Sequence, residues 1–227
     1  YALAELWRSW GVAPGLIMGH SVGEIVAATV AGMMSLEEGL MIVSERGRLM
    51  HSLPQIGLMA SILADEARVH EVLAPYVERV AIAASNGPES TVISGERNAV
   101  LEILRKLEAS GVKTRPLQVS NSFHSPLVEP VLDEFEASCR RVKYQMPTTA
   151  LFSSMRLDFV SEHNLLDAAY WRHNLRYTVR YSEALNKLRQ HGYRVFVEIG
   201  PAPILVVMGQ KCYPNNEGVW LPSLRNG

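Results

Sequence analysis

The sequence has little of what marks a disulfide-linked, metal-binding or membrane-spanning protein. Its 227 residues contain only two cysteines, Cys139 and Cys212, which are far apart and lack C-x-x-C spacing. Neither a disulfide framework nor a zinc site is therefore predicted. The apolar stretches are too short or too interrupted to span a bilayer, and no signal peptide is visible. We therefore expect a cytoplasmic setting and no membrane.

A strong net charge is also lacking. The 22 Lys and Arg residues are balanced by 23 Asp and Glu residues, which leaves a formal net charge of −1. This balance gives no electrostatic reason to expect a nucleic-acid partner or an anionic membrane surface. No repeat and no low-complexity segment is present. The length suits one large domain, or a domain with an insertion, around a substantial core.

What the sequence does contain is the run Gly-His-Ser-Val-Gly at 19–23, between a short apolar run (16–18) and a helical pattern (24–34). Strand, G-x-S-x-G turn and helix in this order predict a nucleophile elbow. We expect both flanking glycines to be required, because a Cβ there would collide with neighbouring backbone. The turn places the Ser21 hydroxyl at a helix N-terminus, whose N–H groups favour an oxyanion. The alternative is a glycine-rich turn whose serine only caps the helix.

Between residues 57 and 120 the pattern changes from a strand–helix alternation to a different order. The predicted elements are a strand at 58–64, a helix at 66–76, strands at 80–84 and 91–94, a helix at 97–110 and a strand at 114–119. The β-α-β-β-α-β order is typical of a ferredoxin-like subdomain. We therefore predict an α/β fold with two parts. Residues 1–56 and 121–227 form a hydrolase-like core with a mainly parallel sheet, and residues 57–120 form an inserted ferredoxin-like α+β subdomain.

Ser21 needs a general base, and His124 is the candidate that its context favours among the seven histidines. In the run Ser-Asn-Ser-Phe-His-Ser-Pro at 120–126, we predict a strand that ends at about Phe123 and a helix that starts after the histidine. His124 then lies at the carboxyl end of a strand, where open α/β sheets bind their ligands. The alternative for any single histidine is a structural residue.

Four motifs occur in order along the chain: Gly-His-Ser-Val-Gly-Glu at 19–24, Arg-Gly at 46–47, Phe-His-Ser-Pro at 123–126 and Glu-Ile-Gly-Pro at 198–201. Together they resemble the acyltransferase domains of modular polyketide synthases and the related malonyl-CoA:acyl-carrier-protein transacylases. The resemblance covers the whole chain, including the insertion. It implies that no cofactor is bound permanently and that malonyl-CoA is the substrate. The implied partners are an acyl carrier protein, whose phosphopantetheine is the acceptor, and neighbouring synthase domains.

The resemblance also implies roles for individual residues. Acyl transfer would proceed by a ping-pong route through an acyl group on Ser21, with His124 as the base and the Val22 amide as an oxyanion donor. In the family a backbone carbonyl orients the imidazole, and here it aligns with that of Asn174. The Arg46 guanidinium would bind the free carboxylate of a malonyl group, because its fork matches both oxygens. Without the other motifs, Arg46 would be interpreted as a solvated helix charge.

Three positions bear on extender choice. Val22 and Phe123 resemble the malonyl type, whereas the methylmalonyl type usually has glutamine and serine there. We expect the Phe123 ring to fill the space of an α-methyl group. Asn121 departs from the pattern, because the malonyl type usually has histidine at that position. The family's upstream Gly-Gln-Gly loop, a second oxyanion donor, has no counterpart either, so we expect an N-terminally truncated domain.

Two other functions are compatible with parts of the sequence. An α/β-hydrolase or thioesterase could use Ser21 with Asp167 and His191, which follow it in the required order. That alternative leaves Arg46 and the insertion unexplained. A degenerate docking domain without catalysis is the second alternative, and the presence of Ser21, Arg46 and His124 together argues against it.

Overall fold

The structure, a computed structural model, describes residues 1–119, 121–213 and 217–225. Ser120, the predicted end of the subdomain, lies outside these residues. The chain begins with α1 (Ala2–Ser9), β1 (Ile17–Met18), α2 (Gly23–Val30) and α3 (Leu36–Ser52). A capping box starts α3: the Ser35 hydroxyl accepts from the Glu38 N–H, and the Glu38 carboxylate accepts from the Ser35 N–H. This reciprocal pair fixes the first turn of the helix that carries Arg46.

The next segment forms a four-stranded antiparallel sheet with two helices. Its elements are β2 (Gly57–Ile62), α4 (Glu66–Leu73), a short 3₁₀ turn (Ala74–Tyr76), β3 (Val80–Gly87), β4 (Ser90–Glu96), α5 (Arg97–Ala109) and β5 (Thr114–Pro116). The strands lie in the order β3-β4-β2-β5. Apolar residues of the strands and of both helices bury one another, with Ile62, Ile93, Val100, Ile103 and Leu107 in the interior. This is the predicted ferredoxin-like arrangement.

The remaining chain completes the α/β core. Its elements are a 3₁₀ helix (Pro126–Val131), α6 (Leu132–Cys139), β6 (Leu151–Ser153), β7 (Asp158–Phe159), α7 (Ala168–Arg176), α8 (Tyr181–Gln190), β8 (Val195–Glu198), α9 (Leu205–Cys212) and β9 (Val219–Pro222). β1 pairs in parallel with β6, and β8 pairs in parallel with β9, whereas β6 and β7 are antiparallel. Trp171 and Phe135 are fully buried where α2, α3, α6 and α7 meet. The predicted fold class, a hydrolase-like core with a ferredoxin-like subdomain, is confirmed.

The prediction of a strand that ends at about Phe123 is wrong. Residues 121–123 form no strand, and the Ser122 carbonyl accepts a hydrogen bond from the Ser125 hydroxyl at 2.7 Å. This contact closes a local turn, which replaces strand pairing as the hydrogen-bond partner of the backbone. Because Pro130 has no N–H, the helix that follows starts as a 3₁₀ turn, and α6 begins after it.

The Glu-Ile-Gly-Pro motif lies at the end of β8. The Glu198 carboxylate accepts from the N–H groups of Ile204, Leu205 and Val206 at 3.1, 3.0 and 2.8 Å. These are free donors at the N-terminus of α9, and a negative charge there is favourable. The motif residue Glu198 therefore anchors α9 to the end of β8.

The subdomain is hydrogen bonded to the segment that follows α7. The Val179 N–H donates to the Ala83 carbonyl, and the Ser85 N–H donates to the Val179 carbonyl, both at 2.9 Å. The Thr178 hydroxyl donates to the Ile82 carbonyl at 2.6 Å. The chain just beyond α7 therefore extends the edge of the subdomain sheet at β3.

Candidate active site

The run 19–23 forms the sharp turn that the motif predicts between β1 and α2. Ser21 lies in the left-handed region with φ of 54°, which is uncommon for a residue other than glycine. The Gly23 N–H donates to the His20 carbonyl and the Glu24 N–H to the Ser21 carbonyl, both at 2.9 Å. These bonds hold the strained residue at the start of α2.

The two flanking glycines are not equivalent. A Cβ on Gly19 would lie 2.2 Å from the Glu24 nitrogen and 2.3 Å from the Gly23 carbonyl carbon and oxygen. A Cβ on Gly23 would meet no described atom within 4 Å apart from its chain neighbours and the backbone of its own helix. The expectation that both glycines avoid a collision is therefore correct for Gly19 and wrong for Gly23, which is the first residue of α2.

Ser21 and His124 meet although they are 103 residues apart. The Ser21 Oγ lies 2.7 Å from the His124 Nε2, and the His124 Nδ1 lies 2.8 Å from the Tyr177 carbonyl oxygen. A carbonyl only accepts, so Nδ1 carries the proton, and Nε2 of the neutral ring is free to accept the Ser21 proton. This is the contact that a serine and its general base need.

The predicted orienting carbonyl, that of Asn174, is not the main partner of His124. The Tyr177 backbone has the larger hydrogen-bonding effect on the pKa of His124, and the Asn174 backbone has a smaller one. The reason is that α7 ends at Arg176 and Tyr177 turns to an extended conformation. That turn aims the Tyr177 carbonyl at the imidazole.

The His124 imidazole is buried and is held neutral. Burial and, to a smaller extent, the nearby Arg46 cation lower its pKa to about 3. His124 itself has φ of 56°, so both members of the pair occupy the left-handed region. A neutral imidazole at physiological pH is the form that can accept a proton.

Arg46 is a buried cation whose charge no described acid neutralises. Its side chain belongs to a residue only 8% exposed, and its Nε has no hydrogen-bond partner in the described ranges. Burial lowers its pKa to about 10, which leaves the guanidinium charged near pH 7. Its Cζ lies 4.9 Å from the centre of the Phe123 ring, in a cation–π contact. A buried, unpaired guanidinium is costly unless an anion pairs with it.

The other predicted residues lie around this centre. Val22 is 38% exposed beside Ser21 at the N-cap of α2, and among described residues nothing accepts from its N–H. The Asn121 amide donates to the Met50 carbonyl near the end of α3. Asn121 is therefore positioned to hold the α3 terminus, one turn beyond Arg46.

The residues that the hydrolase alternative requires are not brought together. Asp167 caps α7, where its carboxylate accepts from the Tyr170 N–H at 2.9 Å. His191 follows the last residue of α8, and its ring packs edge-on against the Phe159 ring, with the ring centres 5.0 Å apart. In the described part of the chain, neither residue is hydrogen bonded to Ser21.

Sequence reasoning missed two contacts beside the pair. His20 is hydrogen bonded to the Asn86 side chain of the subdomain at 2.8 Å, and burial lowers its pKa. Glu24 is 3% exposed and accepts hydrogen bonds from three residues. A carboxylate directly before the apolar run Ile-Val-Ala-Ala at 25–28 is the signal that could have indicated a buried acid.

An open groove of the described structure lies apart from this centre. The groove, of about 690 Å³, lies between α1 and the C-terminal end of α2, and Ser21, His124 and Arg46 do not line it. No group of three or more His, Cys, Asp or Glu side chains in the described ranges is placed to hold a metal ion. No helix described here combines the length and apolar character needed to cross a membrane.

A sequence profile described as the acyl transferase domain matches residues 1–222. The chain belongs to this family. Polyketide synthase GfsA of Streptomyces halstedii is 41% identical over 217 residues, which cover 95% of this chain and 3% of that protein. This acyltransferase chain therefore spans a small part of the curated relatives it matches.

Solved acyltransferase domains share the fold. The domain from the second module of the salinomycin polyketide synthase is 43% identical, with a TM-score of 0.93 over 99% of this chain and 53% of that one. The domain of SpnD, solved in complex with 2-(pent-4-yn-1-yl)malonyl, is 29% identical with a TM-score of 0.93 over 100% of this chain and 54% of that one. The chain is an acyltransferase of the polyketide synthase type, and it spans about half the length of these solved chains.

Alanine at the two elbow glycines should have opposite outcomes. Gly19→Ala should lower the free energy of unfolding by more than about 3 kcal/mol, because its Cβ meets backbone that cannot move aside. Gly23→Ala should change it by less than about 1 kcal/mol, because the space is open and alanine favours the helix. Denaturant unfolding of the acyltransferase with each substitution measures both. Equal losses would contradict the packing difference.

The neutral state of His124 predicts a pH dependence. Its pKa is about 3 in the folded protein and 6.5 ordinarily, so its contribution to stability is full above pH 6.5 and is lost as pH falls from 6.5 towards 3. The rate at which a fluorophosphonate labels Ser21 should therefore stay flat from about pH 8 to about pH 5. A step in this rate with an apparent pKa near 6.5 would show that His124 titrates normally.

Proposed function

We propose that this acyltransferase moves a malonyl unit from CoA to the phosphopantetheine thiol of an acyl carrier protein through an ester on Ser21. The observation that carries the proposal is Arg46, a buried guanidinium without an acid partner beside the serine–histidine pair. An uncharged acyl group would leave this cation without an anionic partner. A free carboxylate on the acyl group would pair with it.

The first half-reaction follows from the proton positions. His124 Nε2 accepts the Ser21 proton while Oγ attacks the thioester carbonyl. The Val22 N–H, at the start of α2, donates to the oxyanion that forms. The C–S bond then breaks, and the leaving CoA sulfur takes the proton from His124.

The second half-reaction uses the same groups in reverse. The phosphopantetheine thiol gives its proton to His124 and attacks the Ser21 ester, and the Ser21 oxygen recovers the proton as it leaves. The Tyr177 carbonyl, 2.8 Å from Nδ1, keeps the ring oriented and stabilises the imidazolium in each half. Arg46 retains the malonyl carboxylate throughout, which keeps the acyl carbonyl near Ser21.

Two further observations bear on the acyl group. The SpnD domain, which shares this fold, was solved with 2-(pent-4-yn-1-yl)malonyl, which supports a malonyl-type acyl group without distinguishing malonyl from its 2-substituted forms. The Phe123 ring contacts Arg46, and Phe123 directly precedes the base His124 in the sequence, so its bulk lies beside the cation that would bind the carboxylate. A carrier protein and neighbouring synthase domains are the partners we infer, because the curated relatives are polyketide synthases.

Removing the Arg46 charge should separate malonyl from acetyl. In Arg46→Ala, loading of malonyl onto Ser21 should fall by about 100-fold or more, because a buried carboxylate loses its charged partner. Acetyl loading should change much less. Intact-protein mass spectrometry of the full-length protein with competing malonyl-CoA and acetyl-CoA measures both adducts.

Two variants complete this experiment. Arg48→Ala removes an exposed cation of the same helix, which pairs with Glu45 and Glu134, and should leave the malonyl preference intact. Ser21→Ala should carry no acyl adduct. Equal losses of malonyl and acetyl loading in Arg46→Ala would show that Arg46 only supports the structure, and a normal adduct on Ser21→Ala would exclude Ser21 as the acyl carrier.

The Phe123 ring should disfavour an α-methyl group. Wild-type protein should prefer malonyl-CoA over methylmalonyl-CoA by roughly 10–200-fold, which is the usual range for rejecting one methyl group sterically. Phe123→Ser should narrow this gap by opening space, and it should weaken malonyl loading because Arg46 loses its aromatic contact. Phe123→Leu keeps much of the bulk without the aromatic face, so it should keep more of the preference. A wild-type adduct dominated by methylmalonyl would refute the assignment.

A further inference from the structure

Glu24 is an acid inside the core, three residues after Ser21. Its Oε1 accepts from the Ser154 N–H and hydroxyl, both at 2.7 Å. Its Oε2 accepts from the Tyr170 hydroxyl at 2.5 Å and from the Asn174 amide at 2.6 Å. Burial raises the pKa of Glu24, whereas its donors lower it by smaller amounts. Glu24 takes part in neither half-reaction of the proposed acyl transfer.

Glu24 links the nucleophile helix to the helix that ends at the base. Its backbone N–H donates to the Ser21 carbonyl at 2.9 Å, and its side chain holds two residues of α7, Tyr170 and Asn174. Asn174 lies three residues before Tyr177, whose carbonyl is 2.8 Å from the His124 Nδ1. A shift of the last turn of α7 would therefore move the acceptor of the imidazole proton.

The other side of Tyr177 is held by the subdomain. Thr178 and Val179 are hydrogen bonded to the backbone of β3 at 2.6 and 2.9 Å. The Tyr177 carbonyl thus lies between two anchors, one on β3 and one on Glu24 through α7. On its outer side α7 is held by ion pairs, Arg172 with Asp133 and Glu136 and Arg176 with Glu129, whereas Glu24 holds its buried side.

We propose that Glu24 is a positioning residue that, through Asn174 and the end of α7, holds the Tyr177 carbonyl where it orients His124 toward Ser21. The acyl-transfer step on which Glu24 acts rests on the proposed function. Burying an acid to join two helices costs desolvation energy, and apolar residues of similar volume often stabilise a core at least as well. What the carboxylate adds is a set of directional hydrogen bonds, which fix the end of α7 and therefore the orientation of the His124 ring.

The contacts of Glu24 supply a matched pair of variants. Asn174→Ala removes the bond from Glu24 to the end of α7, whereas Ser154→Ala removes one bond from Glu24 to the turn after β6, with the Ser154 N–H still in place. Each variant deletes one hydrogen bond on the same carboxylate. Glu24→Gln is the third variant. It keeps the shape of the side chain but places an NH₂ group, which cannot accept, where a carboxylate oxygen accepts hydrogen bonds.

Two readouts distinguish positioning from stability. The first is the proton NMR resonance of His124 Nδ1–H, which reports the bond to the Tyr177 carbonyl without any substrate. The second is the fluorophosphonate labelling rate of Ser21 together with kcat and KM for malonyl transfer. Both are measured on the full-length protein, and denaturant unfolding shows that each variant is folded.

Asn174→Ala and Glu24→Gln should shift or broaden the Nδ1–H resonance and slow labelling and kcat by about 10- to 100-fold, since a small misplacement of a base costs that much. KM should change less than about twofold. Ser154→Ala should lose less than about threefold in either rate. Unchanged resonance and rates in folded Asn174→Ala, or equal rate losses in Asn174→Ala and Ser154→Ala, would overturn the proposal.

Failure of the proposed function would be seen separately. A wild-type protein that shows the Nδ1–H resonance and reacts with the fluorophosphonate but never carries a malonyl group would refute malonyl transfer. The effect of Asn174→Ala on the resonance and on labelling would still decide the role of Glu24.

Discussion

The bond between the Ser21 hydroxyl and the His124 imidazole joins two residues that are each in the left-handed region, with φ of 54° and 56°. Neither conformation is favourable alone, so the surrounding structure must hold both. The packing of Gly19 against the start of α2 holds the first, and the turn closed by Ser125 holds the second.

Burial leaves His124 and Arg46, the two basic side chains of the site, in opposite charge states. Both His124 and Arg46 are almost fully buried, and burial lowers the pKa of each. An imidazole lowered from 6.5 is neutral at pH 7, whereas a guanidinium lowered to about 10 is still charged. The Arg46 cation also helps to keep His124 neutral. One apolar environment therefore supplies both a base that can accept a proton and a cation that can bind a carboxylate.

Local patterns predicted the elbow and the β-α-β-β-α-β order of the subdomain, because each depends on residues close in sequence, and two separate motifs singled out Ser21 and His124. The wrong predictions depend on long-range geometry. The segment before His124 has the composition of a strand, but no partner strand reaches it. The carbonyl 2.8 Å from the His124 Nδ1 is that of Tyr177, directly after α7, and the backbone of the predicted Asn174 has a smaller effect on the pKa of His124. The role of Gly19 and the open space at Gly23 likewise depend on how β1 packs on α2.

The inserted subdomain contributes more to the core than a separate lobe would. Its strand β3 hydrogen bonds Thr178 and Val179, directly after the carbonyl that faces His124, and its Asn86 side chain bonds His20, directly before Ser21. One strand of the insertion therefore contacts the neighbours of both the nucleophile and the carbonyl that orients the base. A displacement of the subdomain would change the Ser21–His124 geometry from both sides. The subdomain is in this sense part of the site, although Ser21, His124 and Arg46 all lie outside it.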